Sequence, residues 1–256
     1  MTAPRTYQTE AIIIKRIKLG EADRILTLYT PELGKLKAVA KGARRPKSKL
    51  GGHVELLTHS RLMLARGRNL DIITQAQTID NFLAIKDDLE GISRGLYIAE
   101  LVDSFTGEHI EDRQLFDLLL ETLKQLSQSK DCEPAMRYFE LHLLDHLGYR
   151  PQLLHCTDCN SPLKPDSNFF SSRLGGVLCP KCGFNEPMAR PLSLNALKVL
   201  RLWQNCDFAA ARRVRINPEL AIELERVMRE YIKYLLERQL KSTAWLDKLK
   251  QPIQPK

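Results

Sequence analysis

The spacing of apolar residues along the chain changes near residue 80. Before it, short apolar and β-branched runs alternate with turn-forming residues, a pattern typical of half-buried strands. We predict five strands, at Thr9–Ile17, Ala22–Tyr29, Leu36–Ala40, Val54–Ala65 and Leu70–Thr78. So many strands in so short a segment fit a small closed barrel. The five-stranded OB-fold is the first candidate, and an SH3-like barrel would give nearly the same pattern.

After residue 80 the apolar residues recur at helical spacing. Helices are predicted at Leu89–Phe105, Leu115–Leu126, Ala135–Leu147 and Leu194–Trp203, in a short segment near Phe208, and at Pro218–Gln239. Gly148 and Pro151 are expected to end the third of these helices, because glycine suits a left-handed residue after a helix and proline cannot continue it. Ser193 and Asn217 are the expected N-caps of the fourth and the last.

Four of the six cysteines form two C-x2-C pairs, Cys156 with Cys159 and Cys179 with Cys182. Each pair places two thiolates on one turn, and two such turns can surround Zn²⁺ with sulfurs at about 2.3 Å. Because the protein fills all four positions, the predicted zinc ion is structural. Two disulfides or unused thiols are the alternatives, and disulfides are rare in proteins that are not exported.

The segment between the two cysteine pairs has the features of a zinc ribbon. Phe169–Phe170 and Gly175–Val177 supply strand-like residues, and Gly183 is expected to ease the second turn. Cys132 and Cys206 lie alone on helical segments and are expected to be small buried apolar residues.

These elements predict an α+β protein of several domains. An N-terminal five-stranded OB-fold barrel is followed by an α-helical domain with an inserted four-cysteine zinc module. The predicted boundaries are 1–80 for the barrel, 81–150 and 189–250 for the two parts of the helical domain, 151–188 for the zinc module, and 251–256 for a flexible tail.

Positive charge is concentrated in the first third of the chain. Residues 1–80 hold 15 Lys and Arg against 7 Asp and Glu, so the whole formal net charge of +8 lies there. Between Gly34 and Leu50 there are seven basic residues and no acidic one. A solvated surface would carry interspersed acids, whereas an uninterrupted positive field attracts a polyanion. Nucleic acid is therefore the predicted partner, with an anionic membrane as the other usual one.

Thirteen residues are candidates for DNA contact. They are Lys15, Arg16, Arg24, Tyr29, Lys35, Lys37, Lys41, Arg44, Arg45, Lys47, Lys49, Arg66 and Arg68. Tyr7 and Tyr29 lie among basic strands and either stack on bases or serve as ordinary core or cross-strand residues. Because aromatic residues are few here, binding should depend mainly on phosphate charge and show weak sequence preference.

Enzymatic motifs lack their required context. Gly91–Gly95 matches the G-x-S-x-G elbow around Ser93, but a charged helical start precedes it and no parallel β-α-β pattern exists. His142 and His146 have helical spacing, yet Leu143 stands where a zinc protease needs glutamate. Phosphate-binding and dinucleotide-binding glycine motifs are missing as well. We therefore predict a protein that is not an enzyme.

The N-terminal apolar run is too short for export or membrane insertion. Ala11–Ile14 is followed at once by Lys15 and Arg16, which interrupt it. The expected location is the cytoplasm, in association with the nucleoid, and no membrane partner is expected.

Three segments of the first third carry a resemblance to RecO, a family of bacterial recombination mediators. They are Glu21–Thr30, Gly34–Arg45, and Gly67–Asp71 with Thr74–Ala76. The resemblance extends over essentially the whole chain, although it is diffuse in the helical part. A four-cysteine insert is found in many but not all members.

The resemblance implies a fold, an activity and partners. The implied fold is an OB-fold joined to a helical domain that carries a zinc module. The implied activities are binding of single- and double-stranded DNA and annealing of complementary strands. The implied partners are RecR, the acidic C-terminal tail of single-strand-binding protein, and indirectly RecA, which is loaded onto coated DNA. The alternative function is a protein-interaction scaffold of the repair machinery with only incidental DNA affinity.

Overall fold

The computed structural model describes residues 5–129, 131–237 and 239–250. The chain forms two compact units, Met1–Ser129 with Leu240–Lys256, and Lys130–Gln239. The predicted tail at 251–256 lies outside the described residues. The domain boundaries predicted from sequence rest on pattern and composition, and they remain a prediction.

The first unit begins with a closed barrel of five strands. Its strands are β1 (Thr6–Leu19), β2 (Asp23–Thr30), β3 (Gly34–Ala40), β4 (His59–Ala65) and β5 (Asp71–Asp80). Around the barrel they run β1-β2-β3-β5-β4, with β3 and β5 parallel and the other neighbours antiparallel. Closure between β1 and β4 removes the exposed sheet edges. The predicted OB-like, five-stranded N-terminal sheet is confirmed.

Alternating apolar residues fill the barrel interior. Ala11 and Ile13 of β1 meet Leu26 and Leu28 of β2 in a core where each of the four is completely buried. A bulge between Ile13 and Lys15 shifts the register of β1 against β2. Beyond the bulge, residues 15–19 of β1 are exposed, so this end of the strand is accessible to a ligand.

The predicted strand Val54–Ala65 is wrong in its first half. Gly51–Val54 form a short 3-10 helix, and β4 begins only at His59. Leu57 adopts a left-handed φ of 56°, which interrupts the extended run. Its N–H still donates to the Ile13 carbonyl at 2.8 Å, so the irregular segment stays joined to β1 at the bulge.

Four helices complete the described part of the first unit. They are α1 (Leu83–Lys86), α2 (Leu89–Phe105), α3 (Arg113–Gln128) and α9 (Lys241–Lys250). Asp88 caps α2 by accepting from the Gly91 N–H at 2.8 Å, and Asp112 caps α3 in the same way. Helix α9 was not predicted. Its first two N–H groups donate to the Glu100 carboxylate of α2 at 2.9 and 2.8 Å. These groups need a partner outside α9, because the first N–H groups of a helix have no carbonyl acceptor within it.

The second unit combines helices with a small sheet. Its helices are α4 (Glu133–His146), α5 (Pro180–Asn185), α6 (Leu194–Asn205), α7 (Phe208–Ala211) and α8 (Pro218–Leu236). Strands β6 (Asn168–Ser171), β7 (Gly176–Leu178) and β8 (Arg190–Leu192) form an antiparallel sheet with β6 in the middle. Ser193 and Asn217 are the N-caps, as predicted. Within the described residues, no helix is long and apolar enough to cross a bilayer.

Candidate nucleic-acid interface and metal centre

The basic loop, residues 41–49, is fixed against the turn between β1 and β2. The Arg44 N–H donates to the Ala22 carbonyl at 2.9 Å, and the Arg44 guanidinium donates to the Gly20 carbonyl at 3.1 Å. The Gly42 N–H donates to the Asp23 carboxylate at 2.7 Å. Gly42 has a φ of +64°, which glycine adopts without strain. The loop is therefore held by hydrogen bonds that leave most of its charged groups unused.

The five cations of the basic loop point to solvent. They are Lys41, Arg44, Arg45, Lys47 and Lys49, and each is exposed. Within the part of the chain that the structure describes, none of them forms an ion pair with an acidic residue. Their positive field is therefore uncompensated locally and available to an anionic ligand.

The sheet lysines, Lys15, Lys35 and Lys37, have a different environment. Lys15 pairs with Asp103 at 2.7 Å, and the Lys35 ammonium donates to the Asp103 carbonyl at 2.6 Å. Lys37 pairs with Glu108. Although burial alone would raise it, the hydrogen bonds and charges of Lys15 and Lys35 lower the pKa of Asp103. The sheet lysines thus already have anionic partners.

Two predicted DNA contacts are not accessible. Lys35 is 8% exposed and Tyr29 is 1% exposed. A buried ring cannot stack on a base, and burial, with the nearby Asp112 charge, raises the pKa of Tyr29. Neither residue therefore belongs to the candidate DNA-binding surface, and the prediction that they contact DNA is corrected. The sequence could not distinguish them, because alternation identifies two strand faces but not which face a helix covers.

Of the remaining predicted contacts, Arg16, Arg66 and Arg68 are exposed, whereas Arg24 is half-buried. Arg16 and Arg24 both contact Glu55. Arg66 lies over the Tyr7 ring at 5.1 Å from its centroid, and the Tyr7 hydroxyl donates to Asp71. Tyr7 is thus a cross-strand residue covered by an arginine, in line with the simpler of its two interpretations.

Arg66 and Arg68 are exposed beside the turn after β4. The acidic partners Glu55, Asp103 and Glu108 were missed by sequence reasoning. They lie far along the chain from the cations they contact, and no local pattern identifies them.

The four cysteines of the C-x2-C pairs come together as predicted. Their sulfur atoms all lie within 4.8 Å of one another, and Cys159 and Cys179 are 3.9 Å apart. A tetrahedral zinc ion with bonds of about 2.3 Å would place its sulfurs about 3.8 Å apart. All four cysteines are unbonded to one another. The donor set and spacing fit a zinc ion held entirely by the protein.

Backbone turns position the sulfurs. The Asn160 N–H donates to the Cys156 carbonyl at 2.9 Å, with Asn160 in the left-handed region at a φ of 56°. The Gly183 N–H donates to the Cys179 carbonyl at 2.8 Å at the start of α5. The Ser161 hydroxyl, 3.0 Å from the Cys159 sulfur, and the Ser161 backbone lower the pKa of that thiol to about 6, whereas the hydrogen bond with Asp158 and burial raise the pKa of Cys182.

Gly183 has a different role from the predicted one. Its φ is not positive, so the turn does not require glycine. A Cβ atom at this position would lie 2.3 Å from the Phe169 ring. Glycine is therefore needed because the aromatic ring packs directly on the α5 backbone.

The enzymatic motifs do not form catalytic sites among the described residues. Ser93 lies buried within α2, and its hydroxyl donates to the Leu89 carbonyl at 2.8 Å. His142 contacts the Trp203 carbonyl at 2.9 Å and stacks on Tyr138, and burial lowers its pKa. Both groups have the structural roles expected for satisfied buried side chains.

Comparison with known proteins identifies the family. The family model described as Recombination protein O N terminal matches residues 1–82, and Recombination protein O C terminal matches residues 86–244. A protein named DNA repair protein RecO from Roseiflexus sp. (strain RS-1) is 45% identical over 249 residues, which cover 97% of this chain and 88% of the relative. Proteins of the same name from Dehalococcoides mccartyi (strain CBDB1) and Symbiobacterium thermophilum are 42% and 37% identical, with 98% and 95% of this chain covered and 98% of each relative. The chain therefore belongs to the RecO family of DNA repair proteins.

Proposed function

We propose that this protein binds single- and double-stranded DNA through the basic loop and anneals complementary strands without catalysing a chemical step. One observation carries the proposal. Five exposed cations without acidic partners among the described residues lie on one loop that is fixed to an OB-like barrel. OB-folds commonly bind oligonucleotides.

Annealing needs only a reduction of repulsion between two phosphate backbones. Lys and Arg side chains neutralise phosphates and release bound counterions, which favours association whatever the sequence. Contacts to phosphate hold a strand without reading its bases. A protein that acts in this way binds many sequences with similar affinity and requires no nucleophile, base or nucleotide cofactor.

The proposal includes the partners implied by the family. The protein works with RecR to load RecA onto DNA coated by single-strand-binding protein, whose acidic C-terminal tail docks on the helical part. Membership of a DNA repair family supports this part of the proposal. A location in the cytoplasm with the nucleoid follows from such a role.

Equilibrium binding to a single-stranded oligonucleotide across a salt series tests the main claim. If about five phosphates are neutralised, the slope of log affinity against log salt should be about −3.5, since each phosphate on a single strand contributes about −0.7. Strand annealing, measured by fluorescence quenching between labelled complementary strands, should slow along the same series. An affinity that does not change with salt would contradict the proposal.

A structural zinc ion is the second part of the proposal. Cys156, Cys159, Cys179 and Cys182 would hold it and fix the relative positions of β6, β7 and α5. Elemental analysis should give one zinc per chain, and Cys182→Ser should lower both zinc content and the unfolding temperature. The Cys206→Ser variant is the control, because Cys206 lies outside the cluster and is not fully buried. A zinc-free protein with an unchanged unfolding temperature would overturn the assignment.

A further inference from the structure

Arg16 and Arg24 share a single carboxylate. The Arg24 guanidinium donates to Glu55 Oε1 at 2.7 Å, and the Arg16 guanidinium contacts Glu55 Oε2. The side chains of Arg16 and Glu55 are 39% and 40% exposed. A ligand can therefore reach Arg16 and Glu55 directly from solvent, whereas the Arg24 side chain is only 18% exposed.

The cluster adjoins the basic loop. Arg24 follows Asp23, whose carboxylate accepts from the Gly42 N–H of the loop at 2.7 Å. Arg24 also lies opposite Lys18 in the β1–β2 pair. Glu55 belongs to the same connection between β3 and β4 as the loop itself. The guanidiniums of Arg16 and Arg24 thus extend the positively charged surface onto the exposed end of β1 and β2.

Positive charge exceeds negative charge in this cluster. One carboxylate serves two guanidiniums, and Lys86 lies close by with its ammonium 2.8 Å from the Thr58 hydroxyl. Burial lowers the pKa of Lys86, while the Glu55 and Asp80 carboxylates act in the opposite direction, so three cations stand against two carboxylates here. An added anion would therefore meet a net positive field.

A phosphate can take the place of Glu55. Each Glu55 oxygen contacts a different guanidinium, and a phosphate likewise presents several oxygens that guanidinium N–H groups can bind. The Arg16–Glu55 pair is exposed to water and contributes little to stability, so breaking it costs little, whereas Arg24 is more buried and the Arg24–Glu55 pair costs more to break. A phosphate would gain two guanidiniums already oriented by the strands, while the Glu55 side chain can turn to water.

We propose that Glu55 competes with a DNA phosphate for Arg16 and Arg24 and so lowers the affinity of the basic surface for DNA. The inference rests on the proposed DNA-binding function. A carboxylate that can reclaim both arginines favours release of the strand. Release is useful to a protein that must leave the duplex it has annealed.

The test is the Glu55→Gln variant, which keeps the shape of the side chain and removes its charge. Its affinity for single-stranded oligothymidylate should rise by about threefold to tenfold at fixed salt, because one competing charge is lost. Glu32→Gln is the matched control. Glu32 is also an exposed glutamate paired with an arginine, Arg113, but it lies in the turn between β2 and β3. The control should bind as the wild type does.

Two further variants assign the effect. Glu55→Asp retains the charge and should bind within about twofold of the wild type, since local electrostatics are nearly preserved. In an Arg16→Gln/Arg24→Gln background, adding Glu55→Gln should give no gain, because the cations it competes for are absent. Unfolding temperatures of all variants show that the fold is retained.

Unchanged or weaker binding by Glu55→Gln would overturn the inference. If the wild type still binds DNA with the expected salt dependence, the proposed function survives that result. A wild-type protein that does not bind DNA would overturn both, and the wild-type salt series distinguishes the two failures.

Discussion

Two groups of cations in the first third of the chain are alike in sequence and different in structure. Lys35 and Lys37 belong to the same acid-free run of basic residues as the basic loop, and Lys15 adjoins Arg16. The loop cations are exposed and have no acidic partner among the described residues, whereas the sheet lysines contact Asp103 and Glu108. The number of basic residues in a stretch of sequence therefore does not show how many of their charges are available to a ligand.

The reason lies in the helical segment that follows the barrel. Asp103 near the end of α2 and Glu108 just beyond it lie 68 and 71 residues from Lys35 and Lys37. The fold brings these acids to one face of the sheet. The basic loop, which packs against the turn between β1 and β2, has no such acid beside it. Pairing with acids lowers the tendency of the sheet lysines to bind phosphate, and it gives Lys35 a structural role.

The largest effect on DNA binding is expected from charge reversal in the basic loop. Arg44→Glu/Arg45→Glu should lower affinity for single-stranded DNA by about 100-fold near physiological salt, because two phosphate contacts become repulsive. Fluorescence anisotropy with several oligonucleotide sequences measures it, and all sequences should lose affinity alike.

Arg212→Glu/Arg213→Glu is the matched control for this variant. These two adjacent arginines are also exposed, but they lie in the second unit. The control should retain most of the wild-type affinity. An equal loss in both variants would show that general charge, rather than the basic loop, determines binding.

A smaller effect, on stability, is expected for Lys35→Met. The variant removes a buried ammonium that donates to the Asp103 carbonyl at 2.6 Å, which should lower the free energy of unfolding by about 1–3 kcal/mol. DNA affinity should stay near the wild-type value. Lys47→Met should behave in the opposite way, with weaker DNA binding and unchanged stability. Denaturant unfolding and DNA binding together measure both, and a loss of DNA affinity in Lys35→Met would return Lys35 to the site.

Acid narrows the stability difference between Lys35→Met and the wild type. Against the effect of burial, Lys15 and to a smaller extent Lys35 hold the folded-state pKa of Asp103 below its ordinary value, so the Lys35–Asp103 pair stabilises the fold above the unfolded pKa of about 3.9. This contribution is lost as the pH falls through the lower folded pKa. Part of the difference persists, because Lys35 also binds a backbone carbonyl. A difference that widened in acid would contradict this assignment.

Local features were predictable from sequence, and the pairing of distant residues was not. Helix α2 has the predicted bounds, Leu89–Phe105, because helical periodicity and capping act over a few residues. The cysteine cluster was also predictable, since two turns with thiolates at fixed spacing can hold one ion.

The missed features depend on which surfaces meet. The residues next to Lys35 and Tyr29 in the sequence do not indicate that these two are buried. Asp103, the acidic partner of Lys35, lies 68 residues away. Helix α9 was missed because Glu100, from α2, accepts from its first N–H groups. The Val54–Ala65 strand was predicted too long because a left-handed Leu57 interrupts it, a conformation unusual for leucine.

The smallest effect, and the sharpest test of the comparison, is expected for Lys37→Gln. The ammonium of Lys37 is about half exposed and contacts Glu108, whose hydrogen bond raises the pKa of Lys37. An exposed ion pair contributes at most about 1 kcal/mol, so a phosphate could separate it if the strand passed this face. We expect DNA affinity to fall less than about twofold for Lys37→Gln and about fivefold for Lys47→Gln. Of these two lysines, Lys37 has an acidic partner and Lys47 has none among the described residues. Equal losses would show that DNA displaces Glu108 and that Lys37 belongs to the binding surface. In that case a cation that is paired with an acidic residue in the DNA-free protein could still bind phosphate, as we infer for Arg16 and Arg24. An acidic partner would then not exclude a cation from the DNA-binding surface.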